Sequence, residues 1–385
     1  MAILFVEGFT GVPRVANGGW ANTHPLYALG WTLNAKYNGS SAVSASDGNV
    51  VASVEADPTF ATRSQVSLQK TSANGSLSLV QQMTQAFDTS GYQKYVIGGM
   101  FLVSQTDTSA AGGYVVISGA VQFPSSQGSF PTADILAQFY VPNNGADGTA
   151  SATIVSQSLV TPLLKKDKWT HFEVFVEQDT DRIRAYLDGT LVLDYTYTGT
   201  FGSATGGLSL TALRSTAQTG VFTTKFSNVY MLGCDDVHTG PLGPGARVLE
   251  VAPAADFAVT WGRPASFASN AAVLQQAFNA AAPSFLTTAD TTPDLYKGPD
   301  AVAANAATVY GVAMKVNAMT MAEGNHAIAA AAQYGTSSSV GPRSYNLQLG
   351  TLKPLVLDIS KNPATAERWT PSEITAAGIG IKMLN

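Results

Sequence analysis

A mostly β chain, folded as two tandem sandwich-like domains, is the architecture this sequence predicts. Three observations carry the expectation. Short alternating or continuous apolar stretches, separated by Gly, Ser, Asn and Pro, fill the chain as far as Leu232. Only 12% of the residues are charged while 45% are hydrophobic, and the usual charged share is roughly 25%. Ser, Thr, Asn, Gln and Gly stand where charge would be, and they hydrogen-bond in ladders and turns at modest desolvation cost. The third observation is a Gly/Pro-rich break at 233–245, in a chain of 385 residues that exceeds the usual size of one domain.

The elements follow in order. Met1 to Val6 reads as a first strand cut short by Glu7; it lacks the basic stretch and small-residue site of a signal peptide. Ser76 to Met83 alternates, Tyr95 to Val103 is continuously apolar around Gly98-Gly99, and Tyr114 to Ile117 and Ile135 to Val141 continue the pattern. Val80 to Phe87 is the one stretch here that could form a helical turn. Trp169 to Tyr197 is the clearest segment. Phe172, Val174 and Val176 share one face of a strand, with His171, Glu173, Phe175 and Glu177 on the other. A second strand turns Ile183, Ala185 and Leu187 inward and Arg182, Arg184 and Tyr186 outward, and Asp188-Gly189-Thr190 reverses the chain.

A two-residue loop there sets Leu187 opposite Thr190. A three-residue loop sets Leu187 opposite Leu191, Ala185 opposite Leu193, Ile183 opposite Tyr195 and Arg184 opposite Asp194. The second register is expected, because it pairs opposite charges worth about 0.2–1 kcal/mol. Leu208 to Leu213 and Phe222 to Leu232 complete the first domain.

Beyond the break, Asn270 to Ala282 has Val273, Leu274, Ala277 and Phe278 at helical spacing. Ala306 to Ala318, His326 to Tyr334, Arg343 to Leu349 and Leu355 to Ile359 read as strands. Thr370-Pro371-Ser372-Glu373 combines a cap, a proline at the first helical position and a glutamate three residues on. Gly378 stops that helix, and Gly380 to Leu384 is the last strand.

A net charge of −5 gives no field to attract nucleic acid, and no apolar run approaches 18 residues, so no membrane insertion is expected. The single cysteine, Cys234, excludes a disulfide within the chain and reads as a half-buried thiol. The histidines His24, His171, His238 and His326 have no metal-ligand spacing. Asp235-Asp236 with His238, and Asp179 with Asp181, could hold a structural calcium ion, but an ordinary turn is the favoured reading, and no cofactor is expected. Trp20, Tyr27, Trp31 and Tyr37 form an aromatic group suited to an interface, to core packing or to stacking on a glycan.

Glu173 and Glu177 share a strand face, which resembles the catalytic strand of glucanases with a lectin-like sandwich. Four strand steps of about 3.4 Å separate them by about 13 Å, whereas paired glycosidase carboxylates need roughly 5–9.5 Å. Phe175 also stands where those enzymes carry an Asp. Both acids are therefore expected on a solvated sheet face, and no catalysis is expected.

Glu7-Gly8-Phe9, the run Trp169-Thr170-His171-Phe172-Glu173-Val174 leading into Ala185-Tyr186-Leu187-Asp188-Gly189, and Phe226-Ser227-Asn228-Val229-Tyr230 resemble the concanavalin A/laminin G-like domain. The resemblance implies a concanavalin A-like jelly-roll sandwich over 1–235. Ser227-Asn228 replaces the family's acidic pair, which weakens any inherited cation site. Leu242-Gly243-Pro244-Gly245-Ala246-Arg247-Val248, Asp294-Leu295-Tyr296, Val309-Tyr310-Gly311-Val312, Asn362-Pro363-Ala364-Thr365 and Trp369-Thr370 are similar to the C-terminal region of tailed-phage structural proteins. That likeness implies a second β-sandwich-like domain with short helices over 246–385. It also implies a virion location after assembly in the host cytoplasm, in a tail, baseplate or fibre. The implied partners are other copies of this chain, neighbouring virion proteins and a host surface glycan. A carbohydrate-binding receptor module and a capsid decoration protein are the alternatives.

Overall fold

The computed structural model describes residues 2–8, 15–18, 31–37, 40–42, 50–56, 64–70, 75–81, 92–105, 113–117, 121–124, 135–144, 150–159, 167–177, 179–180, 182–196, 208–214, 222–235, 239–276, 284–298, 300, 306 and 308–384. The chain divides into two compact units. One is Glu7–Val248; the other is Leu249–Asn385 joined by Met1–Val6. The division therefore falls at Val248/Leu249, later than the 233–245 break, and the first six residues group with the C-terminal unit.

The first strand is β1 (Ala2–Glu7). The strands that follow in the N-terminal unit are β2 (Val15–Gly18), β3 (Trp31–Tyr37), β4 (Ser40–Ala42), β5 (Val50–Ala56), β6 (Ser64–Lys70), β7 (Gly75–Gln81), β8 (Lys94–Gln105), β9 (Gly113–Ile117) and β10 (Val121–Pro124). They continue with β11 (Ile135–Asn144), β12 (Ala150–Leu159), β13 (Trp169–Glu177), β14 (Arg182–Leu187), β15 (Thr190–Thr196), β16 (Leu208–Arg214) and β17 (Phe222–Gly233). One sheet runs β15-β14-β13-β8-β17-β6-β5-β2, the other β12-β11-β10-β9-β16-β7-β3-β4. Neighbours along both paths are antiparallel. The expected strands are all present; of the helical turn considered at Val80 to Phe87, the described part is strand and the rest lies outside the described residues.

The alternation expected in β14 is observed, whereas β13 is buried on both faces from Thr170 to Glu177. Ile183, Ala185 and Leu187 are buried while Arg182, Arg184 and Tyr186 are half-buried. The hairpin combines both registers considered. Ile183, Arg184 and Ala185 face Tyr195, Asp194 and Leu193, and then a bulge shifts the pairing so that Leu187 meets Thr190, not Leu191. Val192 is the extra residue. It reconciles the charge pairing with a two-residue turn, whose Asp188 and Gly189 both take left-handed φ values of 47° and 80°. Asp194 bonds the diagonal Arg182 at 2.7 Å, and Arg184 turns instead to Glu177 at 2.6 Å.

In the C-terminal unit, β18 (Ala255–Ala258), β19 (Asp294–Lys297), β20 (Ala313–Ala318), β21 (Ala327–Tyr334), β22 (Ser337–Asn346), β23 (Lys353–Asp358) and β24 (Gly378–Leu384) form a sheet β18-β19-β24-β21-β22 and a pair β20-β23. Ile328, Ala330, Ala332, Leu357, Ile379 and Ile381 pack with Trp369 in its core. The helix α1 (Asn270–Leu274) is capped by Ser269, and α2 (Pro371–Ala376) carries the expected capping box between Thr370 and Glu373. Asp294 is wholly buried and accepts the N–H groups of Thr260 and Trp261, the Asn270 amide and the Tyr296 hydroxyl. That knot holds the irregular 259–270 segment against β19. Among the described residues, no helix is long and apolar enough to cross a membrane.

Candidate functional site

The outer face of β13 carries the acids that the sequence placed on a solvated surface. The structure corrects that expectation: Glu173 is 1% exposed and Glu177 7%. The reason lies seventy residues downstream. Residues 241–248 fold back over this face, and Leu242 N–H and Gly243 N–H each donate to a different oxygen of the Glu173 carboxylate at 2.8 Å. We call this segment the strap.

A tyrosine completes the arrangement. Glu173 pairs with Gly98 across β8, and Gly98 pairs with Tyr230 across β17. A Cβ on Gly98 would overlap the Tyr230 ring, so the glycine makes room for the ring to lie across the sheet. Gly98 thus serves close packing inside the strand. The Tyr230 hydroxyl donates to Glu173 Oε1 at 2.8 Å and lies 3.2 Å from His171 Nε2. Because that hydroxyl hydrogen goes to the carboxylate, His171 is the donor in the second bond and carries its proton on Nε2. Its Nδ1 is then a buried acceptor without a partner.

Burial governs the electrostatics. It pushes His171 down to about 4, helped by Arg247 and opposed by Asp188. It lifts the Glu173 carboxyl above its ordinary value, against the pull of the Gly243 N–H, the Tyr230 hydroxyl and the Leu242 N–H. Glu177 is neutralised differently, by Arg184 at 2.6 Å and Lys94 at 3.6 Å. The Arg184 guanidinium also lies over the Phe175 ring, 5.0 Å from its centre. Both carboxylates are thus committed to partners within the unit.

The strap is fixed at further points. Val248 N–H donates to Asn228 Oδ1 at 3.2 Å. Pro244 sits where a Cβ on Gly189 would meet it at 3.1 Å, and Ala246 and Val248 are buried. Asn228 has a left-handed φ of 54° and lies in a bulge of β17, so Ser227-Asn228 serves a backbone turn.

Of the aromatic group, Trp31 is wholly buried and donates its ring N–H to Glu7 at 3.3 Å. That removes it from any exposed stacking platform. Tyr37 lies on β3, but its side chain is outside the described residues, as are Trp20 and Tyr27. Asp179 pairs with Lys94 at 3.2 Å, while Asp181, Asp236, His238 and His24 fall outside the described residues. His326 approaches the Glu323 carbonyl at 3.3 Å. Among the described residues no cluster of His, Cys, Asp or Glu could hold a metal ion. Cys234 is half-buried, and burial raises its thiol to about 11.

Tyr230 and the strap were missed by sequence reasoning. A glycine inside an apolar strand, level with a glutamate on the neighbouring strand, was the available signal for Tyr230.

No protein family and no curated protein matches this chain. Among solved structures it is similar to the endo-β-1,4-glucuronan lyase of the fungus Trichoderma reesei, with 12% identity, 52% of this chain and 94% of that chain covered, and a TM-score of 0.35. It is also similar to the binding domain of botulinum neurotoxin DC in complex with rat synaptotagmin II, with 11% identity and a TM-score of 0.31. There 55% of this chain is covered, and the match spans half of the toxin chain. Alginate lyase A1-II′, of polysaccharide lyase family 7, matches with 11% identity over 54% of this chain and 96% of its own, with a TM-score of 0.30. Likenesses this distant carry no functional weight. The class that the strands define is a mostly β, sheet-rich protein.

Proposed function

We propose that the chain is a non-catalytic recognition module, which binds carbohydrate through polar loops of its N-terminal unit. The observation that carries the non-catalytic part is the internal commitment of Glu173 and Glu177. One holds two backbone N–H groups of the strap, and the other holds Arg184 and Lys94. A general acid or base needs a proton exchangeable with substrate at hydrogen-bond distance, and neither carboxylate offers one with the strap in place. The low charge and the abundance of hydroxyl and amide side chains suit a surface that meets sugars.

Assembly into a tailed-phage virion is the second reading, and it is compatible with the first. It rests on the ordered landmarks from Leu242 to Thr370. Met321 and Leu349, 77% and 55% exposed on loops joined by Thr320 N–H to the Gln348 carbonyl, add an apolar tip suited to a protein neighbour.

Titrating the full chain against a panel of neutral and acidic oligosaccharides tests the first reading. Saturable binding without release of shortened or unsaturated products supports it; turnover of any glycan ends the non-catalytic reading. Light scattering tests the second: a closed homo-oligomer is expected, and a monomer at all concentrations counts against it.

A further inference from the structure

We propose that the strap, residues 241–248, is an acid-released latch, with His171 as the group that opens it. The strap's attachment points surround His171. Leu242 and Gly243 bond Glu173, two residues along β13. Pro244 packs on Gly189, beside Asp188, whose N–H and carboxylate bond the carbonyl and N–H of His171. Val248 bonds Asn228, which follows Ser227, and Ser227 and His171 both pair with Met100. With the strap in place His171 is 2% exposed.

The charged and titratable groups around the imidazole come from each neighbouring element. Tyr230 of β17 accepts its Nε2–H, and Glu173 of β13 lies behind that hydroxyl. Tyr186 of β14 faces Glu173. Asp188 of the turn favours a charged imidazole, and Arg247 of the strap opposes it. A second proton would have to sit on Nδ1, which has no acceptor in the closed arrangement. It would also place a positive charge near Arg247. Lifting the strap brings water to Nδ1 and carries Arg247 away.

The sign follows from linkage. The closed state holds His171 at about 4, and an imidazole in water titrates near 6.5, so the open state takes up the proton first as pH falls. Glu173 acts in the opposite sense, because burial raises its carboxyl and the closed state keeps that proton more tightly. The two groups therefore act against one another, and we assign the net direction to His171, which His171→Gln separates from Glu173.

The test is hydrogen exchange on the full chain at pH 7.5 and pH 5, with times scaled for the intrinsic chemical rate. The strap's opening equilibrium should rise by up to about thirtyfold, the ratio that a shift from 6.5 to about 4 implies, while amides of β24 stay unchanged. His171→Gln keeps an N–H for Tyr230 and cannot titrate, so its strap should respond little to pH. Arg247→Gln, at an exposed position, should move opening to lower pH. Unchanged strap protection in the wild type overturns the latch, as does a His171→Gln strap that opens in acid like the wild type. Should His171→Gln fail to fold, imidazole titration by NMR in the wild type decides: proton uptake coincident with strap exchange supports the proposal, and uptake under a protected strap overturns it.

Discussion

Tyr230 and Gly98 occupy one another's space: the tyrosine ring lies where the glycine's side chain would be. This places the hydroxyl between His171 and Glu173. Gly98→Ala should therefore displace the ring and cost about 1–3 kcal/mol, the usual range for overpacking a core. Urea denaturation of the N-terminal unit measures it. A cost near zero would mean that the ring shifts freely.

Tyr230→Phe removes one donor from a buried carboxylate without changing the packing volume. The expected loss is about 1.5–3 kcal/mol, as for hydrogen bonds to charged groups. The same change should lift the Glu173 carboxyl further, since the tyrosine hydroxyl holds it down. NMR titration of the Glu173 carboxyl in both proteins checks that shift, and an unmoved titration would separate Tyr230 from Glu173.

The strands were legible where one face is buried and the other is not. β14 alternates because a slip of one residue would put arginine in the core, whereas β13 is buried on both faces and its pattern did not announce that. Thr370 to Glu373 announced a helix because the cap is satisfied by neighbours three residues apart. The burial of Glu173 was not legible, because it depends on main-chain N–H groups of Leu242 and Gly243 that any residue but proline could supply. The Gly/Pro run looked like a linker for the same reason: its attachment uses backbone and shape, which leave no periodic trace. The Val192 bulge was equally hidden, since either register alone satisfied part of the pattern.

Asp358 accepts Ile3 N–H at 2.9 Å, although 355 residues separate them in sequence. The Ser360 hydroxyl bonds the same oxygen, and a Cβ on Gly311 would meet Ile3 at 2.7 Å. Met1–Val6 is therefore held in the C-terminal unit by a buried acceptor and a tight groove. Asp358→Ala should loosen this segment, raising amide exchange at Ile3 by tenfold or more, in line with about 1.5–3 kcal/mol for a hydrogen bond to a charged group. Unaltered protection at Ile3 would show that packing alone retains it.

The capping box at α2 gives a pH-dependent prediction with a definite sign. Thr370 N–H bonds the Glu373 carboxylate at 2.7 Å and holds that carboxyl below its ordinary value. A depressed carboxyl contributes stability that is present above its unfolded value and is lost as pH falls through its folded one. Glu373→Ala should destabilise the C-terminal unit at pH 7 by about 1 kcal/mol or less, because the group is exposed and screened. The wild type and variant should converge as pH falls through the depressed folded value of the Glu373 carboxyl, below which both lack the charge. Thr370→Ala removes the other half of the box, costs about 0.5–2 kcal/mol, and should keep its deficit in acid, because a hydroxyl does not titrate there. Denaturation midpoints followed from pH 7 downward for the three proteins, with the Glu373 carboxyl titration read by NMR, separate the two halves: a Glu373→Ala deficit that persists once that carboxyl is protonated would assign its effect to helix propensity instead of the carboxylate.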